Sequence, residues 1–153
     1  MVSIRTRPQR LASETTYIET GHGPLYVTVS FDSDGAPFEV FAQMKHPNPH
    51  DQPHLEALNR MVSLCLRGGI RAPEIIEMLR RATCCPVYDP AVKGLVRSMP
   101  DAIAIVLEGV QEDVPVPEVQ DEDSDVRVRV VSTLPAFRDN PDEPVRDLDE
   151  KGE

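Results

Sequence analysis

The sequence predicts an α+β fold in which a small antiparallel sheet, a three-strand meander, is covered by about three helices. Two segments, LYVTVSF (25–31) and PFEVFAQM (37–44), alternate apolar and polar residues with the period of a half-buried strand. Three later segments, 54–67, 72–82 and 100–110, place apolar residues at helical spacing. Strands followed along the chain by helices are typical of α+β proteins.

The strands are separated by turn sequences. Residues 15–19 are β-prone and predict the first strand, which TGHGP (20–24) interrupts. DSDG (32–35) separates the second and third strands, and Gly35 can adopt the positive φ that such a turn needs. Short connections between successive strands predict antiparallel pairing.

Each helix has recognisable end signals. Asp51 is placed to cap the first helix, with Pro53 in its first turn, and Gly68 and Gly69 end it. The second helix has Pro73 near its start, and the third begins at Pro100 and Asp101 and precedes Gly109. The residues predicted to face the core from the first two helices are Leu55, Leu58, Val62, Cys65, Leu66, Ile75, Ile76 and Leu79.

Charge divides the chain into three parts: a basic N-terminal arm (1–13), a folded domain (14–110) and an acidic tail (111–153). Residues 109–153 hold 14 acidic and 5 basic residues, so their balance is −9, and the whole chain has a net charge of −10. The tail has few large apolar residues, which predicts disorder. Its segment DVRVRVVS (125–132) alternates and predicts a strand that is added to the sheet or forms only on a partner.

Composition limits the cellular setting. The sequence has no run of about 18 apolar residues and no apolar segment of a secretory signal near its start. It holds three cysteines, two of them adjacent, which argues against a disulfide framework. We therefore expect a cytoplasmic protein with reduced thiols and no membrane segment.

The residues that could support chemistry are four histidines and three cysteines. His22, His50 and Cys85 stand at loop ends, where zinc ligands are often found, although their spacing is not that of a known zinc motif. From the local sequence alone, two interpretations stay open: these residues form a metal site, or the histidines are exposed and the thiol is buried by its neighbours. Cys65 lies on an apolar helix stripe and is expected to pack in the core. Cys84 could act as a nucleophile if folding supplied a histidine, but no catalytic motif is present, and we expect no activity from the chain alone.

Four blocks of the sequence, in colinear order over residues 8–108, resemble one known family. They are residues 19–44, 54–80, 85–86 and 97–108, the last containing RSMPD. Together they resemble the C-terminal accessory domain of adenosylcobalamin-dependent (class II) ribonucleotide reductases, which has a T-S-C-P-D signature.

The resemblance implies a metal site with altered ligands. Where the family has cysteines at four loop ends, this chain has His22, His50, Cys85 and Met99. Four such cysteines imply a tetrahedral zinc site. The fourth position would be filled by Met99, although methionine is a poor zinc ligand, or else by Cys84, His46 or water. The implied site is therefore a structural zinc with His22, His50 and Cys85 as ligands and Cys84 as the candidate for the fourth position. Cys85 is the thiol that matches the family and Cys84 is an extra thiol beside it, so the pair is interpreted as a structural ligand and its neighbour rather than as a redox couple.

The resemblance also implies a function without catalysis. The reductase's radical chemistry belongs to a catalytic barrel that is not in this chain, so we expect no cobalamin here. The leading hypothesis is an accessory or regulatory module that binds a protein, such as a reductase catalytic chain. The alternative is a nucleic-acid-binding zinc module that uses Arg5, Arg7 and Arg10 and is autoinhibited by its acidic tail. The acidic balance opposes the alternative, because binding to phosphates needs a basic field.

Overall fold

Two sheets and three helices form within residues 3–112, which are the residues that the computed structural model describes. Their order is β1 (Ala12–Ile18), β2 (Leu25–Phe31), β3 (Pro37–Met44), α1 (Asp51–Arg67), α2 (Ala72–Leu79), β4 (Val87–Asp89), β5 (Gly94–Val96) and α3 (Met99–Glu112). The predicted disorder of the acidic tail and the predicted strand at 125–132 lie outside the described residues.

The first sheet is the predicted meander, with strand order β1-β2-β3 and antiparallel pairing throughout. Leu25, Val27 and Val29 are completely buried, as the alternation along β2 predicts. Gly35 adopts a φ of 78° in the turn between β2 and β3. The α+β prediction is confirmed.

The helices cover one face of this sheet. Helix α1 packs mainly on β3, whereas α3 packs on α2 and β2. Leu55 and Leu66 of α1 and Ile103 and Leu107 of α3 are almost fully buried in the shared core. Cys65 is half-buried and packs against this core, in agreement with its assignment as a small apolar residue. Among the described residues, no helix combines the length and the apolar character needed to span a bilayer.

The predicted start of α1 is wrong in one respect: Asp51 does not cap the helix. The helix begins at Asp51, and His50 occupies the N-cap position without a side-chain cap hydrogen bond. Asn48 serves this end instead, because its Oδ1 accepts hydrogen bonds from the backbone N–H groups of His50 and Asp51 at 3.0 and 2.8 Å. The Asp51 carboxylate is engaged elsewhere, with the side chains of His22 and Asn48.

The region after α2 also differs from the prediction. Helix α2 ends at Leu79 rather than at residue 82, and the Ala82 N–H donates to the Leu79 carbonyl in a closing turn. The chain then forms the β4–β5 hairpin, which the sequence reading missed because strands of three residues are too short to show a period.

The N-terminal segment lies against the domain. Arg5 forms an ion pair with Asp32 and stacks over the Phe38 ring, while Arg7 binds the buried carboxylate of Glu39. Two of the three arginines of the predicted basic arm are therefore paired with acidic side chains, one in the turn after β2 and one on β3.

Candidate metal centre

A turn and a loop that are far apart in the sequence meet at one end of the sheet. His22 lies in the turn between β1 and β2, and Cys84 and Cys85 lie in the loop between α2 and β4. One ligand atom from each of the three residues lies within 4.8 Å of the others. We call these three residues the thiol–imidazole cluster.

The contacts within the cluster are direct. His22 Nε2 lies 2.9 Å from Cys85 Sγ and 3.3 Å from Cys84 Sγ, and the two sulfur atoms are 3.2 Å apart. One imidazole nitrogen thus faces two thiols. Imidazole and thiolate are the donors that zinc prefers in closed protein sites.

The imidazole of His22 is oriented by a carboxylate. Its Nδ1 lies 3.0 Å from Asp51 Oδ2, which also accepts a hydrogen bond from Asn48 Nδ2 at 2.9 Å. A histidine that ligates a metal commonly donates its second ring N–H to a carboxylate, which fixes the ring and the tautomer. Asp51 supplies that partner and leaves Nε2 to face the thiols.

The turn that carries His22 depends on two glycines and a threonine. Gly23 has a φ of 101°, and its N–H donates to the Thr20 carbonyl. Thr20 Oγ1 accepts from the His22 N–H at 3.2 Å. At Gly21 the turn packs so closely on the cysteine loop that an alanine Cβ would lie 2.7 Å from the Cβ of Cys85. A side chain at residue 21 would therefore separate His22 from the thiols.

The cysteine loop is held from its other side by the segment before α3. The Cys84 N–H donates to the Arg97 carbonyl at 3.1 Å, and Ser98 Oγ donates to the Ala82 carbonyl at 2.7 Å. Asp101, which is fully buried, accepts a hydrogen bond from the Arg97 N–H at 2.8 Å. Asp101 therefore fixes the segment that positions Cys84.

Hydrogen bonds within the cluster shift the pKa values of the two thiols in opposite directions. The hydrogen bond from Cys85 is the main cause that lowers the pKa of Cys84, and His22 contributes. The same thiol pair raises the pKa of Cys85. Hydrogen bonds to Cys84 and then to Asp51 raise the pKa of His22, while Asn48 and His22 lower the pKa of Asp51. Each of these three shifts, at Cys84, His22 and Asp51, favours the charged form of the side chain relative to the isolated group.

Three of the four residues predicted as ligands are in this cluster, and His50 is not. His50 is exposed at the start of α1, next to Asp51 in the chain, and its role as a ligand stays a prediction. Met99, which the resemblance places at the position of a family cysteine, is buried in the hydrophobic core. His46 is exposed.

Sequence reasoning missed the supporting roles of Asp51 and Asp101. The local sequence predicts Asp51 as a helix cap and does not show that its carboxylate reaches a turn 29 residues away. For Asp101 the local sequence predicts only the start of a helix. Asp101 is the last residue of RSMPD, which belongs to one of the blocks that carry the resemblance, and this position was the signal that could have indicated a further role.

Comparison with known proteins gives one match. The family model described as TSCPD domain matches residues 2–111 of this chain. Neither a curated protein nor a solved structure matches it significantly.

Proposed function

The chain belongs to the TSCPD domain family, and from this premise we propose that it is a non-catalytic accessory or regulatory module that binds a protein partner. The module is related to the C-terminal domain of class II ribonucleotide reductases, and a structural zinc ion stabilises it. We place it in the cytoplasm, where its thiols stay reduced.

The observation that carries the proposal is the convergence of His22, Cys84 and Cys85 with Asp51 behind the imidazole. Two sulfurs and a nitrogen lie within 4.8 Å of one another, and the nitrogen belongs to a ring already held by a carboxylate. The donors are those of Cys/His zinc sites, and the supporting carboxylate is the usual second partner of a ligating histidine.

His22, Cys84 and Cys85 would hold the zinc, and we propose His50 as the fourth ligand. A bound zinc would cross-link the β1–β2 turn to the loop after α2. These segments are more than 60 residues apart in the sequence, so the cross-link would restrict the unfolded chain and stabilise the domain. Such a role requires no open catalytic position.

Metal analysis of the purified full-length chain tests this part. We expect about one zinc per chain in the wild type, loss of zinc in His22→Ala, and weaker retention in His50→Ala. His54→Ala is the matched control, because His54 is exposed on α1 and outside the cluster. A metal-free wild type would refute the zinc site, and an unchanged zinc content in His50→Ala would exclude His50 as a ligand.

The proposed partner is a class II reductase catalytic chain. Large apolar side chains are exposed on the outer face of α1, where Met61 is 59% and Leu64 is 43% exposed, and such groups favour a protein contact. Binding of the purified catalytic chain to the immobilised full-length protein can be measured directly. Leu64→Asp should weaken binding, and Leu64→Asn, which removes the apolar side chain without adding a charge, separates loss of an apolar contact from added charge. Absence of wild-type binding would refute this partner.

Nucleic acid is the less favoured partner. Arg5 and Arg7 form ion pairs with Asp32 and Glu39, which reduces the basic field of the N-terminal segment. A gel shift at about 50 mM and 200 mM salt tests the alternative, since binding through phosphates weakens steeply with salt.

A thiol enzyme is the remaining alternative. The His22 imidazole contacts the Cys84 thiol through Nε2 and the Asp51 carboxylate through Nδ1. This is the arrangement of a nucleophile, a base and an acid that orients the base. Rapid alkylation of Cys84 in the zinc-loaded protein near neutral pH would favour this alternative, whereas protection by zinc supports the structural role.

A further inference from the structure

A cavity of about 290 Å³ opens at the end of α3, and the thiol–imidazole cluster takes no part in its wall. Among the residues that line it are Arg5, Pro37, Leu66, Ile70, Arg71 and Gln111. Gln111 belongs to the last turn of α3. The chain therefore leaves the described domain from the wall of this cavity.

The cavity wall is mostly apolar, and the charged residues that line it are Arg5, Asp32 and Arg71. Leu66, Pro37 and Ala72 contribute apolar surface, and Ile70 is 45% exposed although it is a large aliphatic residue. The Arg71 side chain is 75% exposed and forms an ion pair with Glu74 at 2.7 Å, and Arg5 is paired with Asp32. An extended apolar segment matches the apolar part of this surface, and an acidic residue beside it would approach the exposed Arg71 guanidinium.

The sequence that follows α3 has this character. Residues 113–118 read DVPVPE, with valines at 114 and 116, prolines at 115 and 117, and acidic residues at both ends. Residues 113–121 hold three acidic residues and no basic ones. The prolines restrict φ to values suited to an extended peptide, which lowers the entropy that binding must overcome.

We propose that residues 113–118 dock in this cavity of the same chain, with the side chains of Val114 and Val116 against Ile70 and the acidic ends near Arg71. Distance permits this contact, because Val114 follows Gln111 by three residues and an extended chain spans about 3.3 Å per residue. A tether this short gives an effective concentration in the millimolar range, so a weak segment still binds. This docking is independent of the proposed zinc site and goes beyond the proposed function.

Nuclear magnetic resonance on the full-length chain tests the docking. We expect nuclear Overhauser contacts between the methyl groups of Val114 or Val116 and those of Ile70. The double variant Val114→Asp, Val116→Asp should shift the amide signals of Ile70 and Arg71. The matched control is Val126→Asp, Val128→Asp, which makes the same change farther along the tail and should leave those signals in place.

Two results would overturn the proposal. One is the absence of the methyl contacts together with identical amide signals in the wild type and the 114/116 variant. The other is a contact between two copies of the chain, which a mixture of labelled and unlabelled chains can detect. Methyl contacts that connect only different molecules would show that the segment occupies the cavity of a second copy. Far-UV circular dichroism and zinc content, expected to be equal in all variants, confirm that the domain and the cluster are intact.

Discussion

Gly21→Ala tests whether the close packing of the His22 turn on the cysteine loop determines metal binding. The new Cβ would lie 2.7 Å from the Cβ of Cys85, and it would lie closer still to the Cys85 carbonyl oxygen. Ordinary carbon–carbon contact needs about 3.5–4.0 Å, so the two segments must separate by about 1 Å. Zinc ligands tolerate displacements of only about 0.2 Å. The substitution should therefore weaken zinc binding with every ligand still present.

The expected magnitude follows from the steric overlap. Overpacking of this kind costs about 1–3 kcal/mol. If the zinc-bound state must bear that cost while the zinc-free state relaxes, the dissociation constant should rise by about 5- to 150-fold, since 1.4 kcal/mol corresponds to a factor of ten. Competition with a chromophoric chelator measures this constant.

Gly109→Ala is the control for this experiment. It makes the same chemical change in α3 at a site where, apart from its chain neighbours and the backbone of its own helix, no atom lies within 4 Å of the new Cβ. It should leave zinc affinity unchanged and stabilise the helix by about 0.5–1 kcal/mol. Equal zinc affinity in Gly21→Ala and the wild type would refute the reasoning, because the cluster would then not depend on the approach at Gly21.

Three further predictions concern stability, each measured by urea unfolding. In metal-free protein, the free energy of unfolding of the wild type should exceed that of His22→Gln, and this difference should be fully present below about pH 6.5. The difference should disappear as the pH rises through the raised pKa of His22. On the acid side, it should be lost as the pH falls through the lowered pKa of Asp51. An advantage that grows above neutral pH would contradict this. Asp101→Ala should lower the free energy of unfolding by about 1.5–3 kcal/mol, because it removes a hydrogen bond to a buried carboxylate, and unchanged stability would show that the bond to Arg97 is dispensable. Leu55→Ala should cost about 2–5 kcal/mol, since Leu55 is 1% exposed in the core, and a cost below 1 kcal/mol would mean that the helix repacks.

The meander and the helices were predictable because their signals are local. The alternation in 25–31 and 37–44 gave the strands at their observed bounds, and helical spacing gave the buried positions Leu55, Val62 and Leu66. The prediction was weakest where an element is short. The β4–β5 hairpin has strands of three residues, which show no period.

The candidate site was predictable only in part. The resemblance predicts His22 and Cys85, which lie in the cluster, but it also points to His50 and Met99, which do not; Cys84 follows only as an alternative for the fourth position. The roles of Asp51 and Asp101 depend on partners that only the folded chain brings near, and a reading of either residue by its local sequence finds only a helix start.

The sequence by itself determined which segments form strands and helices, because apolar periodicity and turn residues act over a few neighbours. It also determined which residue types could bind a metal. Only the tertiary structure decided that the imidazole of His22 meets two thiols more than 60 residues away and turns its other nitrogen to Asp51. That choice depends on how the turn of one sheet packs against a loop after a helix, and packing between distant segments leaves no pattern in the local sequence.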